Sequence, residues 1–305
     1  MILVTGGTGF VGRNLVQQLL RQDKRVRILV RPTKKTPNLP KDTAVEVVVC
    51  SLQDERGLQA AMKGVQQVFH LASAERAGSR VDLEAVDVQG TRRVAAAAVR
   101  AGVRHLLYLS HVGADRGSAY SVMKVKGIAE GLIQQSGIRN TILRSTTIFG
   151  AGDQFTTSFS RLLQTSPGIM FIPGDGDTML QPVWVDDVVT CLLSAMETQG
   201  DESKVHIIGG PEYFSFRQVL DILSAKLELR RSYLPIHPSI LRSLWLILEQ
   251  GNPRFPVSIH WLDYLAADRT CPVDSVAREF GLLPSRFVQH LDHLHLNPRK
   301  RSKKQ

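Results

Sequence analysis

The chain has 305 residues, 43% of them hydrophobic and 22% charged, a balance that excludes a mostly disordered or fibrous protein and fits one large domain or two closely associated ones. Its formal net charge is +10, from 38 basic and 28 acidic side chains, and five of the basic ones fall in the run Arg299 to Gln305. With no aromatic interleaving and no nucleic-acid motif, that charge does not point to DNA or RNA; a solvated basic end, or one that seeks phosphate or anionic lipid, accounts for it.

The elements follow in chain order. Ile2 to Val4 reads as a first strand and Phe10 to Gln22 as a helix. Val26 to Val30 and Val45 to Val49 are the second and third strands, and Asp54 to Lys63 is a helix closed by Gly64. Val68 to Ala72 is the fourth strand, and a long helix from Asp82 to Arg100 stops at Gly102. Leu106 to Ser110 is the fifth strand, Ala119 to Gln135 a helix, and Thr141 to Arg144 the sixth strand. These strands are continuous apolar runs, as expected when helices cover both faces of a parallel sheet.

After Gly150 the rhythm breaks into loops at Phe149 to Thr156 and Pro173 to Thr178. A helix near Val185 to Met196 and a strand near Val205 to Ile208 follow. The expected architecture is α/β: a Rossmann doubly wound parallel sheet over 1–180, a smaller and mostly helical substrate or partner lobe over 181–296 that shares elements with the sheet, and a basic tail over 297–305. The stretch Ile240 to Leu248, with Pro238 at its start, is about half the length needed to span a bilayer. Burial in the lobe, cover of a pocket, a partner contact and a membrane surface remain open for it.

Cys50, Cys191 and Cys271 have no paired spacing and no CxxC, so neither a disulfide framework nor a metal site is expected, and a reducing compartment is. The first strand begins at Ile2, so no secretory or organellar leader is expected. The resulting location is cytoplasmic, with attachment to the inner face of a membrane open through the basic tail.

The turn Thr5-Gly6-Gly7-Thr8-Gly9-Phe10-Val11-Gly12 links the first strand to the first helix. Gly7, Gly9 and Gly12 carry GxGxxG, and Gly6, Gly9 and Gly12 also satisfy GxxGxxG. An early glycine permits the tight turn, Gly9 lets backbone approach a pyrophosphate, and Gly12 lets the helix pack close to the strand. The helix N-terminus then offers free N–H groups and a positive dipole to phosphates. At the end of the second strand, where NAD enzymes place an acidic residue against the ribose 2′-hydroxyl, the chain reads Arg31-Pro32-Thr33-Lys34-Lys35. A guanidinium grips a 2′-phosphate that a carboxylate would repel. Arg31, with Arg13 as a second clamp, predicts NADP(H) over NAD(H).

At the end of the fifth strand stand Ser110 and His111. Ten residues beyond Ser110 come Tyr120 and Lys124, whose i, i+4 spacing predicts one helix face. An ammonium there favours tyrosinate, so Tyr120 is read as an acid/base, Lys124 as its tuner and ribose contact, and Ser110 as the group holding the substrate oxygen. His111 reads as a packing residue and is left unassigned.

With the glycine turn, Tyr120 and Lys124, Thr141 to Arg144 leading to Ile148-Phe149-Gly150, Gly152-Asp153, and Gln181 to Val188, the chain resembles the extended or atypical short-chain dehydrogenase/reductase superfamily. Within it the chain is similar to NAD(P)-binding epimerase/dehydratase-like proteins, among them the nucleotide-binding accessory subunits of respiratory complex I. The resemblance implies that Leu71, Ala72 and Ser73, after His70, pass along the cofactor and that Ser145 to Thr147 face the nicotinamide. Asp153 and Gln181 become candidate substrate-side groups, with loop-structuring roles favoured over that for both. The chain departs from the family at Ser51, where an acidic residue is common, and at Ser145, where proline is. The implied function is an NADP(H)-binding oxidoreductase acting on a small-molecule hydroxyl or carbonyl. The alternative is a non-catalytic accessory subunit or assembly factor of a membrane redox complex.

Overall fold

The computed structural model describes residues 1–32, 45–198, 200–252 and 256–295. Thr33, Lys34 and Lys35 and the basic run from Arg299 to Gln305, both singled out in the sequence, lie outside the described residues.

The first half alternates as its apolar runs dictate. β1 (Ile2–Thr5) leads to α1 (Phe10–Arg21), β2 (Val26–Val30), β3 (Val45–Val49), α2 (Glu55–Ala61) and β4 (Gln67–His70). The long helix expected from Asp82 to Arg100 is not uniform: Glu84–Gly90 is π-helical and passes directly into α3 (Thr91–Arg100). β5 (His105–His111), α4 (Ser121–Gln134) and β6 (Asn140–Ser145) follow. The chain then forms short pieces: β7 (Ile148–Phe149), α5 (Thr156–Thr165), β8 (Ile169–Pro173), β9 (Met179–Leu180) and β10 (Val183–Trp184). α6 (Val185–Glu197) and β11 (Lys204–Ile208) come next, then β12 (Phe214–Ser215), α7 (Phe216–Lys226), β13 (Ser232–Ile236), α8 (Pro238–Gly251), α9 (His260–Tyr264) and α10 (Ser275–Phe280).

Two compact units result. The first holds Met1–Glu75, Asp82–Ser145 and Val185–Ile208; the second holds Arg76–Val81, Thr146–Trp184 and the described part of Gly209–Gln305. The stretch Val185–Ile208 belongs to the first unit, since β11 pairs in parallel with β6 and extends the sheet, the sharing of elements read for the segment after 180.

The sheet of the first unit has seven strands in the order β11-β6-β5-β4-β1-β2-β3, and every pairing is parallel. This is a Rossmann-type doubly wound arrangement, whose ligands bind beyond the carboxyl ends of the strands. Alternation along each strand sends Leu3, Leu29, Val68, Leu106 and Ile142 to one face, where Leu58 of α2, Val94 and Ala98 of α3 and Ile133 of α4 close a buried core.

The second unit is mainly helical, with short strands that the sequence did not single out. It contains three two-stranded pieces, β7 with β10, β8 with β13 and β9 with β12, around an aromatic core that includes Phe149, Phe155, Phe159, Phe216, Trp245 and Phe287. Its α8 covers and extends the stretch read at Ile240 to Leu248. Leu241 and Trp245 are buried, whereas Ile240, Leu244, Ile247 and Leu248 are exposed. No described helix is long and apolar enough to cross a membrane.

His105 opens β5 fully buried, with Nε2 2.9 Å from the Thr141 hydroxyl. Burial, aided by the Arg139 charge, lowers its pKa from 6.5 to about 4. Below pH 6.5 the unfolded chain binds a proton that the native state refuses, so stability is full above that pH and is lost as pH falls toward 4. The loss reaches about 1.4 kcal/mol per pH unit. Urea unfolding between pH 7 and 4.5 is expected to show a falling midpoint, with a shallower fall in His105→Gln; equal slopes would contradict this account.

Candidate functional site

At the carboxyl end of β1 the chain turns at Gly6, whose φ of +72° favours glycine. A Cβ on Gly6 would lie 2.7 Å from the backbone of Leu71 and Ala72, and one on Gly12 only 2.2 Å from the Gly6 carbonyl oxygen. One on Gly7 would lie 2.7 Å from Ile28, and one on Gly9 3.0 Å from the Gly6 oxygen. Backbone at Gly6, Gly9 and Gly12, and the Ile28 side chain at Gly7, therefore occupy the space that side chains would need. Gly9 donates its N–H to the Gly6 oxygen at 2.8 Å, and Arg13 donates to Gly9 at 3.0 Å. Gly9 is the N-cap of α1 and supplies no side-chain hydrogen bond. The first-turn N–H groups of Phe10, Val11 and Gly12 thus form an anion cradle that fits a pyrophosphate.

The turn is anchored across the sheet by a directional relay. The Thr91 hydroxyl donates to the Asp87 carbonyl at 2.6 Å, so it accepts from His70 Nε2 at 2.8 Å. His70 Nδ1 must then accept from the Thr5 hydroxyl at 2.7 Å, whose oxygen accepts from the Ala72 N–H at 3.3 Å. Burial and then the nearby Lys126 charge lower the His70 pKa to about 3 and keep the ring neutral. The Leu71–Ala72 segment is held against Gly6 by this chain of bonds.

At the next strand ends, Arg31 directly follows β2 and is exposed. After β3, Cys50 is buried and donates its N–H to Val30 at 2.9 Å. Ser51 follows, and Asp54 accepts from Gly57 N–H to cap α2.

Tyr120 is the N-cap of α4 with extended backbone (φ −92°, ψ 123°), and its carbonyl accepts the Lys124 N–H at 2.9 Å, so the two residues stand one turn apart at the start of the helix; Tyr120 is half-buried and Lys124 is exposed. The buried face of α4 instead carries Val122, Lys126, Ala129, Glu130 and Ile133. Gly127 is in contact with the backbone of Asp115 and Arg116, which brings the loop before Tyr120 across the helix.

Lys126 is the ammonium that the fold places behind the strand ends. Its Nζ lies 3.4 Å from Asp87 Oδ1 and 5.2 Å from the centroid of the Tyr108 ring. Asp87, on the π-helical turn, uses Oδ2 to accept the Ala74 N–H at 2.8 Å. Burial alone would push the Lys126 pKa down, but Tyr108, Asp87 and Glu75 outweigh it and raise it. Burial likewise drives Tyr108 up to about 12, against the opposing Lys126 charge. The cluster holds a charged lysine beside a neutral phenol.

Ser110 is buried one residue before the end of β5, its hydroxyl without a hydrogen-bond partner among the described residues. His111 ends the strand, with Nε2 2.9 Å from Glu75 Oε2, and pairs in register with Ser145 of β6. The Ser145 hydroxyl reaches the Ser110 carbonyl at 3.4 Å.

Two candidates from the second unit are structural. Asp153 accepts from the N–H groups of Gly150, Thr156 and Thr157 and from the Thr156 hydroxyl, which starts α5. Gln181 is fully buried, donating to Gly210 at 2.6 Å and accepting from Cys271 N–H at 2.8 Å.

Sequence reasoning missed Lys126, Asp87, Thr91 and Glu75. A signal existed for one of them: Lys126 and Glu130, at i and i+4, interrupt an otherwise apolar helix face. Glu130 is answered by Arg144, at 2.5 Å.

The NmrA-like family matches residues 1–268. Sterol demethylase protein B of Methylococcus capsulatus is 29% identical, covering 93% of each chain. The mitochondrial NADH dehydrogenase 1 alpha subcomplex subunit 9 of Arabidopsis thaliana is 27% identical, over 72% of this chain and 56% of that protein. Among solved structures, an NADPH-dependent quinone oxidoreductase from Escherichia coli, complexed with NADPH, shares the fold with a TM-score of 0.76 at 18% identity, covering 96% of this chain and 99% of the other.

Removing the Lys126 charge strands Asp87 in the interior. Lys126→Met is expected to cost about 3–5 kcal/mol in chemical unfolding, and Lys124→Met to stay within about 0.5 kcal/mol of the parent. Equal effects would contradict the placement of the two lysines.

Proposed function

The chain belongs to the NmrA-like family, and on that premise we propose that it is an NADP(H)-dependent oxidoreductase acting on a hydroxyl or carbonyl substrate. The observation that carries this reading is the glycine turn, whose backbone approach to Leu71–Ala72 and uncapped helix start suit a dinucleotide pyrophosphate. Thr5, Gly6, Gly7, Gly9, Phe10, Val11, Gly12 and Arg13 line the phosphate side. Leu71, Ala72 and Ser73 run along the cofactor, and Ser145 lies at the nicotinamide end. Arg31, exposed at the exit of β2, selects the 2′-phosphate.

The bound cofactor supplies hydride chemistry; the chain supplies orientation and charge. Ser110 offers a buried hydroxyl for the substrate oxygen. Lys126, rather than Lys124, provides the fixed positive charge at this edge, held in place by Asp87. Relatives named as a sterol demethylase component and as a 3beta-hydroxysteroid-dehydrogenase/decarboxylase support an alcohol or ketone substrate.

A second reading is a cofactor-bound accessory subunit of a membrane redox complex, favoured by the likeness to the NADH dehydrogenase subunit and by the exposed apolar residues of α8. Peripheral membrane contact through the basic tail belongs to this reading. Co-purification with a large respiratory complex after gentle lysis supports it; recovery of the chain alone counts against it.

Calorimetric titration separates the cofactors. NADPH is expected to bind at least tenfold more tightly than NADH, and Arg31→Ala to remove about 1.5–3 kcal/mol of NADPH affinity while sparing NADH. Equal affinities in the parent chain would refute the NADP(H) assignment. Gly12→Ala is expected to weaken both cofactors together, since it displaces the turn they share; undiminished affinity would remove the turn from the site.

A further inference from the structure

Reduction of a carbonyl needs a group that gives the substrate oxygen a proton as hydride arrives at carbon. The buried phenol of the first unit is poorly suited to that task. Tyr108 is 1% exposed, with its ring stacked on His70 and beneath Lys126, and its pKa is driven up to about 12. Tyr120, the N-cap of α4, stands one turn before the exposed Lys124, away from the buried lysine of this helix. One turn before Lys126 on the same helix face stands Val122, fully buried, so no phenol occupies the position from which it would share that face.

Among the histidines, His70 has both ring nitrogens engaged in the relay, and His105 lies at the opposite, amino end of β5. His111 differs from both. It is the last residue of β5, opposite Ser145, and its Nε2 meets Glu75 Oε2 at 2.9 Å with side chains 16% and 25% exposed. A carboxylate on one ring nitrogen fixes the ring's orientation.

We propose that His111, oriented by Glu75, is the residue that exchanges a proton with the oxygen of the carbonyl or hydroxyl substrate. The inference rests on the oxidoreductase reading and replaces Tyr120 in the role its sequence spacing suggested. With Nε2 committed to Glu75, Nδ1 is the exchanging atom, and any partner it has in the resting protein gives way to the substrate. In the reductive direction the carbonyl carbon receives hydride from the reduced nicotinamide, which is oxidised. The carbonyl oxygen takes the Nδ1 proton, the C=O π bond becomes an O–H bond, and the alcohol leaves a neutral imidazole that solvent reprotonates. Oxidation runs the same steps backwards. Glu75 is a positioning residue.

The test follows NADPH consumption by the full-length chain with 9,10-phenanthrenequinone and with a 3-ketosteroid as carbonyl probes, alongside NADPH binding by fluorescence. His111→Ala is expected to lower kcat at least 100-fold, to leave the NADPH Kd within twofold, and to regain activity with added imidazole. Glu75→Gln is expected to lower kcat about tenfold and Tyr120→Phe less than twofold. Unchanged NADPH affinity and imidazole rescue distinguish lost chemistry from lost folding. If the parent chain consumes NADPH while His111→Ala retains more than a third of its kcat, or loses it without imidazole rescue, the proton-exchange assignment falls and the oxidoreductase reading stands. If the parent chain binds NADPH but turns over neither probe, the oxidoreductase reading falls and the assignment with it.

Discussion

The binding edge of the first unit depends on one contact: the backbone of Gly6 resting against the backbone of Leu71 and Ala72, closer than any side chain would allow. Two strands, β1 and β4, must end in register for this to occur, and Thr5 pairs with His70 in the parallel ladder. The relay from Ala72 through Thr5, His70 and Thr91 to the Asp87 carbonyl locks that register, because each hydroxyl donates in one direction only. A neutral imidazole is required at its centre, and burial supplies one. Such a network in a low-dielectric interior is rigid when every member is satisfied and costly when any is lost.

The second constraint is electrostatic. A buried ammonium at Lys126 is held by Asp87, which also fixes the Ala74 N–H and so the path of the chain beyond β4. The π-helical turn that bears Asp87 widens the helix by one residue per turn, and such turns recur at functional sites. Pairing two charges away from water is a poor way to gain stability; a fixed charge at a strand edge where a dinucleotide is proposed to lie is a better reason for it to be there.

Much of this was legible in the amino-acid order. The runs at Val26–Val30 and Val45–Val49 appear as strands with the same bounds, and the glycine turn occupies its expected place between β1 and α1. The rest was hidden for identifiable reasons. Tyr120 and Lys124 have the spacing of a helical pair, but the spacing carries no mark of where the helix begins, and Ser121 begins it. The π-helical register at Glu84–Gly90 shifts Asp87 inward, and no periodicity in the sequence announces that shift. The pairing of His111 with Glu75 was not legible because the partners are 36 positions apart. Asp153 and Gln181 matched family motifs, and of the two roles read for them their hydrogen bonds show the loop-structuring one. The contacts of His111 with Glu75 and of Gln181 with Cys271 join residues far apart in the chain, and single-sequence patterns do not carry them.

The most direct measurement is a crystal structure of the full chain grown with NADPH. The account predicts the pyrophosphate on the N–H groups of Phe10 to Gly12, the 2′-phosphate at Arg31, and the nicotinamide toward Ser145 and His111 at the ends of β5 and β6. NADPH bound elsewhere on the chain, or a glycine turn in which a saturating soak leaves no cofactor, would contradict it.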